Sequence, residues 1–159
     1  MTTYNDFFVA SAGAAAALTG LIFVGISINL KEIIKHKSLP TRASLALILL
    51  MAILINSMIS LVNLPTQLWG IVLLIIGFGL WLILLIKDIG IYKKTAKLYK
   101  KIALLTLAVD QLASIPYLVA GLCLLNYCEY WIYLIVAGFV LSFVKAVWDA
   151  WVLLIEIMR

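Results

Sequence analysis

Asp110, Lys145 and Asp149 stand inside long apolar stretches of the sequence. A charged side chain at such a position is costly unless it is paired or faces a wet cavity, so each one calls for a partner. Lys145 and Asp149 are four residues apart, on one face of a helix, and can pair with each other. Asp110 lies about 12 Å deep from the start of its stretch, and Lys145 about 9 Å deep if the last stretch leaves the lipid near Trp151. The matching depths predict an Asp110, Lys145, Asp149 cluster. Thr106, Asp110 and Ser114 recur every four residues with Gln111 beside them, making a polar stripe. Beyond it Pro116, which lacks an amide hydrogen, frees a backbone carbonyl.

Two readings fit this pattern. One is a cavity or pathway for an ion, a proton or a small polar solute; the other is a structural ion pair that locks two helices together. Ser27, Asn29, Asn56 and Ser57 either extend such a path or serve as interhelical hydrogen-bonding groups, worth about 0.6 kcal/mol each. Glu156 and Arg159 read as an interfacial pair, with Lys100 or Lys101 as alternative partners for Glu156.

The elements that must hold these residues are five apolar runs: Phe7 to Leu30, Ala43 to Leu64, Leu68 to Ile86, Ile102 to Asn126 and Tyr130 to Met158. Of the 159 residues, 66% are hydrophobic and 12% charged, too few charges for the polar shell of a water-soluble domain. The mean hydropathy is +1.19. About 20 residues of helix cross a hydrocarbon layer about 30 Å thick, so each run is long enough to span. None alternates as barrel strands do, and backbone in lipid must satisfy itself within the segment. The expected fold is all-α: one transmembrane domain of five helices, about 7–30, 43–64, 68–86, 102–126 and 130–158.

Orientation follows from the basic residues. Lys31, Lys35, Lys37 and Arg42 follow the first run, and Lys87, Lys93, Lys94, Lys97, Lys100 and Lys101 follow the third. The Asn63-Leu64-Pro65-Thr66-Gln67 and Asn126-Tyr127-Cys128-Glu129 turns, and the N-terminal tail, contain no Lys or Arg. The basic loops belong on the cytoplasmic side, which puts the N-terminus outside and the C-terminus inside. With Arg159, eleven of the twelve basic residues then lie inside. An odd number of spans is required for this alternation. The short outer turns predict antiparallel hairpins between the second and third and between the fourth and fifth helices. Tyr92 to Lys101, with Tyr92, Ala96 and Tyr99 on one face among lysines, fits either a short interfacial helix on anionic lipid or a solvated basic loop.

In lipid, helices associate through close backbone approach and polar contacts, so small residues at four-residue spacing mark the seams. Ala12, Ala16 and Gly20, with Gly13 and Ala17 beside them, form one such face, and Gly138, Ser142, Ala146 and Ala150 form another. Gly77 and Gly79 read as packing notches. Five helices barely enclose an interior, and symmetry mates are expected to supply further walls in a homo-oligomer.

Several chemistries are argued against. A net charge of +5 does not indicate nucleic acid, because the basic residues fall in the two loops that set orientation. The single histidine, His36, excludes bis-His haem ligation and a histidine-rich metal cage within one chain, so neither metal nor cofactor is expected. Cys123 and Cys128, near the outer side, point to different faces of a helix at a spacing of five, so no disulfide is expected between them. No Ser/His/Asp set, phosphate-cradling loop or potassium-filter signature is present, which leaves little for catalysis. Met1 to Asp6 lacks the basic start of a secretory signal, so the first helix is expected to remain in the mature protein.

The stretches Asp6-Phe7-Phe8-Val9-Ala10, Ala17-Leu18-Thr19-Gly20-Leu21-Ile22-Phe23-Val24 and Ser27-Ile28-Asn29-Leu30 resemble those of a group of small, uncharacterised bacterial multi-pass membrane proteins. Leu39-Pro40 with Arg42-Ala43, and the closing Ala150-Trp151-Val152-Leu153-Leu154-Ile155-Glu156, resemble them too. The resemblance implies a bacterial inner-membrane protein. Some members of that group are described as modulators of a membrane-anchored AAA protease, which implies a regulatory membrane partner. Asp149 departs from the neutral amide expected at its position in that group. Two functional expectations result: a homo-oligomeric channel or transporter-like protein for an ion or small polar solute, and a non-transporting accessory or regulatory membrane subunit.

Overall fold

A computed structural model of the chain describes residues 4–35, 39–62, 64–95 and 99–157, with the side chains at 94, 156 and 157 left aside. His36, Lys37, Asn63, Ala96, Lys97 and Arg159, and the side chains of Lys94 and Glu156, therefore lie outside the described residues. Six helices form among the described residues: α1 (Asn5–Ile28), α2 (Leu30–Lys35), α3 (Leu39–Leu61), α4 (Thr66–Lys94), α5 (Lys100–Leu125) and α6 (Trp131–Ile157). No strand occurs among the described residues. All but α2 are long and apolar enough to cross a membrane. Their outward faces carry residues such as Leu21, Ile28, Ile75, Leu105 and Trp148, apolar side chains that a lipid solvent accepts and water does not. This is the architecture of a multi-pass membrane bundle.

The helix limits follow local chemistry. Helix α1 stops at Ile28, two residues before the end of the apolar run, because the Asn29 side-chain amide donates back to the Gly25 carbonyl and the chain restarts as α2. Helix α3 starts at Leu39, earlier than the expected Ala43, because Pro40 suits a first turn where its missing amide is not needed. The largest departure is α4, which continues through Lys87 and Asp88 to Lys94 rather than ending at Ile86. Of Tyr92 to Lys101, read as an interfacial helix or a solvated loop, Tyr92 belongs to the last turn of α4 and Lys100 opens α5, while residues 96–98 lie outside the described ones. Across that connection the Lys100 ammonium stands over the Tyr92 ring at 5.2 Å.

Helices α3, α4, α5 and α6 close into a four-membered ring, and α1 lies on the outside of α3. The most extensive interface is between α4 and α5, not within the α3–α4 hairpin. Glycines explain it. A Cβ on Gly121 would come within 2.7 Å of Leu74 Cγ and 3.1 Å of the Leu74 backbone nitrogen. One on Gly77 would meet Tyr117 Cβ at 3.1 Å, and one on Gly70 would meet Leu124 Cβ at 3.2 Å. Gly77 is therefore a packing notch, whereas Gly79 has open space and is not.

The α5–α6 seam uses the expected small face of α6: Gly138, Ser142 and Ala146 are buried and Ala150 is half-buried. The small face expected on the first helix turns out differently. Helix α1 buries Phe8, Ser11 and Ala15, while Ala12 is half-buried and Gly13, Ala16, Ala17 and Gly20 face outward. The large Phe8 ring, which fits against Trp69 and Phe139, fixes that rotation. A Cβ on Gly13 or Gly20 would meet nothing within 4 Å among the described residues.

The interior has two ends. At one, Phe7 stacks on Phe139, and Phe8, Trp69, Trp131 and Phe139 pack edge to face, with Trp69 and Trp131 centroids 4.8 Å apart. The α5–α6 turn lies at this end and contains a disulfide between Cys123 and Cys128, against expectation. Its geometry is a helix stop. Tyr127 adopts φ 55°, the Cys128 amide donates to the Cys123 carbonyl at 2.9 Å, and the Tyr127 amide donates to that of Leu124. This left-handed cap folds the residue two beyond the cap back over the last turn, so a spacing of five brings the two sulfurs together. The other end of the interior is charged.

Candidate functional site

The α5–α6 register builds the charged end. Tyr117 faces Ser142, its hydroxyl 3.0 Å from Ser142 Oγ, and further down the same faces Asp110 meets Lys145. On α5 the inward positions are Asp110, Ser114 and Tyr117; on α6 they are Ser142, Lys145 and Asp149. Lys145 Nζ donates to Asp149 Oδ2 at 2.5 Å and stands 2.9 Å from Asp110 Oδ1. The three side chains that the sequence groups thus come together.

A fourth charged residue joins them. Asp88 of α4 is buried, with its carboxyl next to that of Asp110. The close glycine approach of α4 to α5 sets Gly77 against Tyr117, and the same register brings Asp88 within about one turn of Asp110. Exposure is 3% for Asp88, 0% for Asp110, 3% for Lys145 and 1% for Asp149, so the cluster is enclosed by this one chain. Asp88 Oδ2, both oxygens of Asp110 and Asp149 Oδ1 receive no hydrogen bond, Asp110 Oδ1 being held by the charge of Lys145 alone. At the rim, Arg42 of α3 is half-buried and close enough to act on Asp149 through its charge. Lys87 donates to Ser44 Oγ of α3 at 2.9 Å. Measured along the helices, Asp88 lies about 9 Å from the end of α4 and Asp110 about 15 Å from the start of α5.

The remaining polar residues do not extend this cluster. Ser114 is buried and donates to the Gln111 carbonyl at 3.1 Å; the Gln111 amide nitrogen is buried without an acceptor. Thr106 is half-buried and donates to the Ile102 carbonyl of its own helix. Ser27 is exposed and donates to the Phe23 carbonyl, and Asn29 caps α1, so neither joins a path through the interior. Asn56 donates to the Ala52 carbonyl, and Ser57 Oγ is buried without a partner, but both sit far along α3 toward the aromatic end. On α-helices a hydroxyl or amide readily turns back onto the preceding carbonyl, which the spacing alone does not reveal.

Asp88 was absent from the expected cluster, although a signal for it existed. Leu73, Gly77, Leu80, Leu84 and Asp88 follow one another at helical spacing on the buried face of α4. Continuing that face past Ile86 leads straight to Asp88. Comparison with known protein families, characterised proteins and solved structures finds no match to this chain.

Proposed function

We propose that the chain is a transporter-like membrane protein that handles an ion or small polar solute through the enclosed Asp88, Asp110, Lys145, Asp149 cluster. One observation carries this reading: three buried carboxylates share a single buried ammonium, and four of their oxygens accept no hydrogen bond. A purely structural lock would be expected to neutralise itself, because an unmatched buried charge costs more than the pair returns. Enclosure within one chain favours a site inside each bundle over a pore along the axis of an oligomer. In this reading the basic ends of the helices face the cytoplasm of a bacterial inner membrane. The disulfide at the opposite end supports that orientation, since disulfides persist on an oxidising side. Purified protein reconstituted in liposomes is expected to give flux that Asp110→Asn and Lys145→Met abolish. Absence of flux above empty liposomes from a folded protein rules the reading out.

A second reading, a non-transporting accessory or regulatory membrane subunit, draws on the outward small-residue face of α1, where a Cβ on Gly13 or Gly20 would meet nothing within 4 Å among the described residues. Such faces suit helix docking, and a second copy in a homo-oligomer competes for the same surface. Gentle cross-linking in native membranes separates them. A stable hetero-complex supports the accessory reading, and recovery of homo-oligomers alone counts against it.

A further inference from the structure

We infer that the ion taken by this cluster is the proton, held as one hydrogen shared between the carboxyl groups of Asp88 and Asp110. The inference rests on the transport reading above and names its ligand. Two carboxylates in contact and out of water are stable together only with a proton or a cation between them. The cation is already accounted for: Lys145 gives its hydrogen bond to Asp149 and its charge to Asp110 Oδ1, leaving the Asp88 side of the pair without one.

Counting the groups that face the cluster from every helix bordering it sharpens the point. Helix α3 brings Arg42, α4 brings Lys87 and Asp88, α5 brings Asp110, and α6 brings Lys145 and Asp149. Near this end α1 and α2 bring the apolar Ile26 and Ile33, which pack with Leu39, Ala43 and Leu153. Lys87 is engaged with Ser44, so the interior holds three carboxylates against Lys145 and the nearby Arg42, and one added proton makes it neutral. A metal cation fits poorly. The described acidic, histidine and cysteine residues include no group of three arranged to hold one. The approach from the basic end also passes Arg42 and Lys87, which repel it. Loading converts one carboxylate to a carboxylic acid whose O–H donates to the other; unloading returns that proton to water.

The test is infrared difference spectroscopy on the full-length protein in lipid nanodiscs at neutral pH, in H2O and in D2O. A protonated-carboxyl C=O band that shifts in D2O is expected. It should vanish in Asp88→Asn and in Asp110→Asn. If Asp110→Asn does not fold, Asp88→Glu replaces it and is expected to move the band. A folded wild-type protein without the band, or a band that survives both Asn variants, overturns the inference. Parallel liposome assays keep the two claims apart. A band without any flux sinks the transport reading and leaves the shared proton, whereas sodium or potassium flux without a band sinks the shared proton and leaves transport.

Discussion

The two ends of the bundle interior are filled by opposite means. Around Phe8, Trp69 and Phe139 the helices are joined by aromatic rings that need no partner of a particular kind, only shape. Around Asp110 and Lys145 they are joined by charges that are stable only as a set. Tyr117 marks the boundary, its ring against Phe139 and its hydroxyl on Ser142. The first end can hold the fold together while the second keeps carboxylate oxygens unsatisfied. That division is what a binding site inside so small a bundle requires.

If the division is right, removing a charge should cost more than removing a ring. Lys145→Met leaves three buried carboxylates without their ammonium and is expected to destabilise the protein by about 3–5 kcal/mol. Adding Asp110→Asn and Asp149→Asn in the same chain should recover most of that loss, as read from unfolding in mixed micelles. Phe139→Ala at the aromatic end should cost less, about 2–3 kcal/mol, because lipid solvates the separated helices and part of the usual core penalty is absent. A larger loss for Phe139→Ala than for Lys145→Met reverses the comparison. Tyr117→Phe, at the boundary, removes one hydrogen bond and should shift stability by only about 0.6 kcal/mol. A drop several times larger would mean that the Tyr117–Ser142 contact belongs to the charged set.

The same contrast explains what the sequence disclosed. The five spans follow from composition and length, and the Lys145–Asp149 pair from a spacing of four on one helix. Asp110 could be matched to Lys145 because both stand alone in apolar surroundings at similar depth. Asp88 could not be found that way: beside Lys87, at the end of an apolar run, it looks like part of a basic loop, and only the buried periodicity of α4 exposes it. The disulfide was hidden for a related reason, since spacing on an ideal helix says nothing about a left-handed cap that folds the chain back. The rotation of α1 was misread because small residues mark a face that can pack, and here the bulk of Phe8 decided which face does.

The central claim, that acidic residues of α4 and α5 meet inside one chain, is tested most directly by cysteine cross-linking. Asp88→Cys with Asp110→Cys, in a background carrying Cys123→Ser and Cys128→Ser, leaves Lys145 paired with Asp149. Oxidation in native membranes should give a cross-link within single chains, seen as a monomer whose two engineered thiols no longer react with maleimide until reduced. Free thiols after oxidation, or cross-linked dimers in place of monomers, would contradict it.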